Sequence, residues 1–525
     1  MSISIRTNIN AVSTARQLGY AQETVDTSMR RLSTGLRVNK AADDAAGLAI
    51  SEKLKSQING LNQASRNAKD AISLVQTAEG ALGEVGNMLQ RIRTLALQSV
   101  NDVNGVNERA SLQKEVSQLQ TEITRLALAS EFNGQKLLDG SFQSKRFQVG
   151  ANSGQEIALS IGGVDASKIG VNRIVSAAGT ASTTSLTSAK ASTTAVGLSN
   201  GVQSQTLSIT GPASTGQAST VNIDAGMTAK QIADQVNLVN GETGVTAKAR
   251  TVVSLTIPAA TSTGNVSFTL GGDVDGGDLG NSTTIGALVS SNTDLSAIVQ
   301  AINDRTSVTG ITAATGATKA EILLTADDGR DIVIEGFQIG GNTTATMVVQ
   351  GKAGAPNAGP DFGVGLQDAG PPAILTGDPA ANDSARIGGF VQFQSSGGVN
   401  VTSTDTTNSV MATDNENSEL IAVNTINLGS ADGASAAIDV LDNAIQQVND
   451  LRATLGALQN RLQSTVANLG SSSENLQISN SRIRDADVAM ESAELARAQV
   501  LMQAGISVMA QANQQPQQAL KLLGG

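Results

Sequence analysis

Two long helical stretches lie at opposite ends of this chain, and a middle of different character separates them. Residues 1 to about 140 and about 432 to 525 repeat apolar side chains at steps of three, four and seven, the period of one helical face. Their one proline is Pro516, in the last ten residues. The stretch between is rich in Gly, Ser and Thr and holds Pro212, Pro258, Pro356, Pro360, Pro371, Pro372 and Pro379. Helices so far apart in sequence can pair with each other and project everything between them outward. That layout suits a filament subunit better than a catalyst.

The first helix places Ile5, Ile9, Val12, Leu18, Val25, Met29, Leu32 and Leu36 along one face. A turn follows at Asn39 to Asp44, where Asp43 or Asp44 can cap the next helix. That second helix, residues 45–100, would span roughly 80 Å and calls for a coiled-coil partner. Gly80, Gly83 and Gly86 within it either permit close helix approach or are simply tolerated. After a loop at Asn101 to Gly105, a third helix carries Leu112, Val116, Leu119, Ile123 and Leu126. Phe147 to Val149 and Ile157 to Ile161 read as a β-hairpin.

The middle contains a repeat. Ile232, Val236-Asn237 and Gly244-Val245-Thr246-Ala247 match Ile298, Ile302-Asn303 and Gly310-Ile311-Thr312-Ala313. Each copy begins as a short helix, ends in a turn and has β-rich sequence on both sides, which predicts two small α+β modules. Residues 351–431 read as an irregular Gly/Pro-rich segment. The helical pattern then returns through Leu469, is loosened at Gly470-Ser-Ser-Ser, and ends in a last helix carrying Leu495, Leu501, Ile506 and Val508. The fold class expected is mainly α with inserted β or α+β domains, built on a discontinuous terminal coiled-coil core.

Composition removes several function classes. No histidine and no cysteine are present, so imidazole catalysis, Cys and Ser–His nucleophiles, thiolate zinc sites and disulfides are all unavailable. A net charge of -11 without a basic stripe argues against nucleic acid as a partner. No apolar run is long enough for a membrane span. The amino terminus lacks the apolar core of a cleaved secretory signal, which suits a cytosolic protein or export by a route that cleaves nothing. Aromatics are only 2%, with Tyr20 the single tyrosine, too few for a large compact core but sufficient for helices packed through Leu, Ile, Val and Ala. The acidic run Asp273 to Asp278 lacks EF-hand spacing and reads as a solvated turn rather than a Ca²⁺ loop. No cofactor and no metal are expected.

Helices this rich in Ala, Gln and Asn are marginal alone and gain order against copies of themselves. Residues 1–43 carry six Lys/Arg and three Asp/Glu, hence +3; residues 485–525 carry two and four, hence -2. From pattern alone a self-assembling filament subunit and a coiled-coil scaffold or receptor fragment both remain open, and an enzyme is disfavoured.

Both ends resemble bacterial flagellin. The residues are Ile9-Asn10 and Leu32-Ser-Thr-Gly-Leu-Arg-Val-Asn-Lys-Ala-Ala-Asp-Asp-Ala-Ala-Gly-Leu-Ala-Ile-Ser at the amino end. At the carboxy end they are Ser481-Arg-Ile-Arg-Asp-Ala-Asp and residues 498–517, through Gln514-Gln515-Pro516-Gln517. The resemblance covers about 1–175 and 435–525, and the repeated module also resembles one inserted in many flagellins. It implies that residues 1–43 with 485–525 form inner-tube helices and that 44–175 with 432–484 form the outer tube with its β-hairpin. Residues 176–265, 266–350 and 351–431 then become outer modules. Assembly would rest on Ile5, Ile9, Val12, Leu18, Val25, Leu32, Leu495, Leu501, Ile506 and Val508.

The family's biology implies the rest: a homopolymer of itself in an extracellular flagellum, and type III export without a cleaved signal peptide. It also implies a flagellar export chaperone at the C-terminal region, hook–filament junction and cap proteins as partners, and supercoiling that involves the hairpin near 141–162. Arg91, Leu95 and Glu115 occupy positions through which many flagellins are recognised by a host Toll-like receptor. A hook–filament junction protein or a secreted coiled-coil scaffold is the alternative; the full carboxy-terminal signature favours flagellin. An enzymatic flagellin would need His-Glu-x-x-His, and the chain has no histidine.

Overall fold

In the computed structural model the Asn8 side chain accepts the Ala11 N–H at 3.1 Å and starts α1, Ile9–Thr34. Gly35 ends it in the left-handed region at φ +71°, donating its N–H to the Arg31 carbonyl, a conformation that favours glycine. The structure describes residues 7–523 apart from 102, 177–188, 193–198, 215, 259–262, 274–280, 354–366, 369–370, 406–409 and 412–414. Among the described residues no helix is long and apolar enough to cross a membrane.

The chain continues through α2 (Ala45–Val100) and α3 (Val106–Ala129), then β1 (Glu131–Phe132), β2 (Gln135–Lys136), β3 (Lys145–Gln148), β4 (Glu156–Leu159), β5 (Gly170–Val175) and β6 (Lys190–Ser192). The first repeat follows: β7 (Gln205–Thr210), β8 (Ser219–Ile223), α4 (Ala229–Leu238), α5 (Asn240–Thr243) and β9 (Thr246–Thr256). The second comprises β10 (Gly264–Asp273), β11 (Asn281–Val289), α6 (Ser296–Asn303), α7 (Thr306–Thr309), β12 (Thr312–Thr315) and β13 (Glu321–Ala326). After it come β14 (Asp331–Ile339), β15 (Thr346–Ala353), β16 (Gln367–Asp368), β17 (Ala373–Thr376), β18 (Ser384–Ile387), β19 (Phe390–Ser395), β20 (Asn400–Ser403), β21 (Asn415–Asn417) and β22 (Glu419–Ala422). Two long helices close the chain, α8 (Ala431–Arg484) and α9 (Val488–Leu523). The fold is mainly helical at its termini, with β and α+β structure inserted between.

Two compact units divide these elements: residues 1–76, 144–160 and 455–525, and residues 77–143 and 161–454. In the first unit the β3–β4 hairpin packs Phe147, Val149 and Ile157 against Ala68, Ala71 and Ile72 of α2 and Leu458, Leu462 and Val466 of α8. Gly60 has a packing reason: a Cβ there would stand 2.9 Å from the Ala151 methyl in the hairpin turn. Asp43 does not itself begin α2. Its carboxylate accepts the Lys40 and Asn39 N–H groups, each at 3.0 Å, and these bonds hold its pKa below the usual carboxylate value. Asp44 caps α2, accepting the Gly47 N–H at 2.8 Å. The brief loosening expected at Gly470-Ser-Ser-Ser does not interrupt the helix. α8 runs on unbroken, because Ser473 donates across to the Asn62 side chain at 3.1 Å and Ser472 to Asn468 at 3.2 Å.

In the second unit Leu82, Val85, Leu89 and Ile92 of α2 are buried, as are Val116 and Ile123 of α3 and Leu441, Ala444 and Val448 of α8. Gly86 approaches Val448 at 4.0 Å, whereas Gly80 and Gly83 face open space and are simply tolerated. The two repeats fold alike. Asn237 grips Ala247 with two hydrogen bonds of 2.9 and 2.8 Å, and Asn303 grips Ala313 with the same pair of distances. Gly244 and Gly310 end the helical turns at φ +69° and +68°. Strand pairing crosses between the repeats, since β9 pairs with β13, β15 and β19, and β10 pairs with β14. The described residues of the segment expected to be irregular, 351–431, include strands β16 to β22. Phe390, Val391 and Phe393 of β19 are buried, with β19 lying between β9 and β5. β18 and β19 are buried on both faces and so lack the alternation that marks a half-exposed strand.

Asp273 is not part of a solvated turn. It ends β10 fully buried, its carboxylate 2.5 Å from Arg386 of β18, and Arg386 lies 3.5 Å from buried Asp331 of β14. The Asn200 amide donates to Asp331 at 3.0 Å and to the Met227 carbonyl at 2.9 Å. Burial pushes the Asp331 carboxyl up to about 8, against the opposing pull of Arg386. Residues 274–278 of that acidic run lie outside the described residues.

Candidate assembly site at the paired terminal helices

α1 and α9 pair along their length, and the pairing is anchored at one end by backbone. The Arg37 N–H donates to the Arg484 carbonyl at 2.7 Å, and the Ala486 N–H to the Gly35 carbonyl at 2.9 Å. Leu36 and Asp485 thereby form an antiparallel bridge. The Arg37 guanidinium donates to the Ile483 carbonyl at 2.7 Å, and Arg484 reaches Glu52 at 3.1 Å. Both quoted end motifs converge on this clamp, which needs Gly35 to turn out of α1. At the far end the Asn8 amide donates to the Ala512 carbonyl at 2.8 Å.

Between these anchors the pairing is thin. Val25 and Ala498 are buried, together with Thr14 and Ser28, which the apolar pattern did not single out. Leu18, Leu32 and Leu495 are half-buried. Ile9 and Val12 are exposed at 69% and 55%, and Leu501, Ile506 and Val508 at 57%, 54% and 53%. Ile5 lies outside the described residues. The opposite net charges of the two ends come down to one ion pair across α1 and α9 among the described residues, Arg31 to Glu491 at 3.5 Å. A groove of about 520 Å³ runs between the helices, lined by Leu18, Tyr20, Ala21, Leu501, Gly505 and Val508 among others. Two helices that bury so little of their apolar surface gain little from each other.

The second group of sequence-selected residues lies in the other unit. Arg91 of α2 and Glu115 of α3 pair on the surface at 2.7 Å. Leu95, one turn along α2, is only 2% exposed and belongs to the core. Among the described residues no cluster of His, Cys, Asp or Glu could hold a metal ion.

The comparisons agree with the residue motifs. A model of the bacterial flagellin N-terminal helical region matches residues 5–143, and one of the C-terminal helical region matches 438–523. The flagellin hook IN motif matches residues 206–264, the first copy of the repeat. The chain is 39% identical to B-type flagellin of Pseudomonas aeruginosa, and 32% identical to Flagellin A of Helicobacter pylori and to flagellin of Salmonella muenchen, in each case over all of both chains. Among solved structures, FliC from Burkholderia pseudomallei aligns with 74% of this chain and 99% of its own at 20% identity and a TM-score of 0.28. A flagellar hook associated protein from Legionella pneumophila aligns with 82% and 98% at 12% and 0.33. Both structural likenesses are too low to bear on function.

Proposed function

The chain belongs to the bacterial flagellins, a family of structural filament subunits, and from that premise we propose that α1 and α9 are the polymerisation element. The observation that carries this is the exposure of Ile9, Val12, Leu501, Ile506 and Val508 on helices that are otherwise only thinly paired. In the polymer these side chains face α1 and α9 of neighbouring copies, with Ile5 extending the same face. A patch on one copy meeting a different patch on the next does not close, and such contacts propagate as an open helix. Residues 1–43 with 485–525 then form the inner tube and 44–175 with 432–484 the outer tube. The modules of 176–265, 266–350 and 351–431 lie outside. Seeded assembly tests this. Monomer added to short filament fragments grows long filaments under the electron microscope, and a chain lacking residues 485–525 grows none; growth by the truncated chain would overturn the assignment.

The same reading places the subunit in an extracellular flagellum, reached through the type III export route without a cleaved signal peptide. An export chaperone meets the C-terminal region before secretion, and the cap and hook–filament junction proteins bound the growing polymer. The hairpin near 141–162 takes part in switching between supercoil states. We further assign Arg91 and Glu115 to recognition by a host Toll-like receptor, with Leu95 holding α2 beneath them. The surface pair costs the fold little to remove, since an exposed ion pair contributes at most about 1 kcal/mol. Monomer carrying Arg91→Ala and Glu115→Ala should therefore melt like the parent yet signal far more weakly in receptor-bearing cells. Undiminished signalling would sink this assignment.

A further inference from the structure

Gln447 of α8 fastens the sheet that contains β5, β9 and β19 to the helix. Its side-chain oxygen accepts the Gly170 N–H of β5 at 3.1 Å, and its amide donates to the Ser396 carbonyl just after β19. Roughly two turns nearer the start of α8, about 12 Å along the axis, Asp439 pairs with Lys248 of β9 at 2.6 Å. Around and beyond that pair lies a cleft of about 580 Å³, within one compact unit. Lys248, Arg250 and Asp327 line it on the β9 side, and Asp432, Ser435 and Asp439 on the α8 side. The β9 wall is one block. Lys248 and Arg250 alternate with Ala247 and Ala249, which face the core beneath α4. The turn of Asp327 to Gly329 is seated on Ala249, since a Cβ on Gly329 would collide with the Ala249 methyl. The Gly329 carbonyl in turn accepts the Lys230 N–H of α4 at 3.1 Å.

The charges across this cleft are incompletely matched. Asp432 and Asp439 stand one heptad apart and share a face of α8. Asp439 has Lys248, whereas Asp432, exposed in the first turn, enters no ion pair among the described residues. On β9, Arg250 follows Lys248 on the same face, about 7 Å farther along the strand. Two contacts give its direction. The end of β19, which pairs with the start of β9, lies at Gln447, and Lys248 lies at Asp439. The strand therefore runs toward the start of α8 and carries Arg250 toward Asp432. Arg250 instead stands 2.9 Å from Asp327, a carboxylate that is 75% exposed. A pair with so exposed a partner contributes little and is readily exchanged. We propose that the β9 block rocks on α8 about Gln447, and that Arg250 exchanges Asp327 for Asp432 as the cleft closes. The device is a hinge with two end states, each held by an ion pair of the same guanidinium. Gln447, bonded to two neighbouring strands at once, is its pivot. Neither pair is strong enough to suppress the other, so the outer modules sample both states.

The chain contains no cysteine, so introduced thiols take spin labels selectively. Leu238→Cys at the end of α4 and Gln118→Cys on α3 are both exposed positions, and neither lines the cleft. Pulsed EPR distances between them are measured on the full-length monomer, so the outcome does not depend on polymerisation. The parent should give two distance populations. Asp327→Asn removes the partner of the open state and Asp432→Asn that of the closed state. Each should change the population ratio by about two- to fivefold, in opposite directions, the range that one exposed ion pair supplies. Arg250→Gln should make both changes silent. A single population in the parent, equal ratios in the two variants, or shifts that survive Arg250→Gln would overturn the hinge. Circular dichroism and melting check that the variants fold. Should either fail, Lys248→Gln decides: loss of the tie beside the pivot should broaden the parent's distribution, and an unchanged distribution overturns the rocking motion.

Discussion

Replacing Leu501 and Ile506 by Asp should abolish seeded filament growth while leaving the monomer's circular dichroism and melting unchanged. Both side chains are more than half exposed in the subunit, so the monomer gives up little by the change; surface substitutions away from special features usually cost within about 0.5 kcal/mol. At a contact with a neighbouring copy the balance reverses. Each change removes apolar burial and brings an unpaired carboxylate into an environment that excludes water, a cost of several kcal/mol per site. A combined loss of about 4 kcal/mol already corresponds to roughly a thousandfold in the association constant. Asp at Gln499, exposed on the same helix, is the control and should leave growth near the parent rate. The critical monomer concentration for growth on seeds measures the effect. Parent-like growth of the double variant would show that these residues face solvent in the filament and would move the assembly determinant elsewhere on α9.

The second large effect is expected in the β-rich unit. Arg386→Met should lower its unfolding free energy by about 3–5 kcal/mol at neutral pH, because it breaks the buried pairs of Arg386 with Asp273 and Asp331. Arg386, Asp273 and Asp331 are all at most 2% exposed, and one guanidinium cannot neutralise two carboxylates. Asp331 is the member whose carboxyl is pushed up to about 8, foremost by burial, and its Oδ1 has no hydrogen-bond partner among the described residues. The sign follows from linkage. With the folded pKa above the unfolded value, the folded state holds a proton the unfolded state has released. The stabilisation is then complete below the unfolded carboxylate pKa, near 4, and is lost as pH rises through about 8. Across that window the slope is at most about 1.4 kcal/mol per pH unit. Asp331→Asn mimics the protonated acid, so the variant should lose this pH dependence and surpass the parent in alkaline solution. Denaturant melts from pH 5 to pH 9, followed by a probe in the β-rich unit, measure both; an Asp331→Asn profile parallel to the parent's would refute the protonated carboxyl.

The sequence was most legible where one period runs unbroken. Residues 45–100 were expected as a single helix, and α2 is Ala45–Val100, because fifty-six residues of one apolar face leave no competing period. The repeat was legible for the same local reason: Asn237 and Asn303 each bind a backbone group only ten residues away. Fold class, the filament family and the absence of histidine and thiol chemistry were all determined by the chain alone. Tertiary structure decided the rest. It carried α8 through Gly470-Ser-Ser-Ser, since Asn62, 411 residues from Ser473, takes up a hydroxyl that composition would assign to a loop. It moved Leu95 into the core and left Ile9, Leu501 and Ile506 outside, although all four read alike as apolar positions on helices. It drew Asp273 and Arg386 together across 113 residues. An apolar period states that a helix or strand has a face to bury, but what covers that face depends on contacts between distant segments, and no local pattern encodes them.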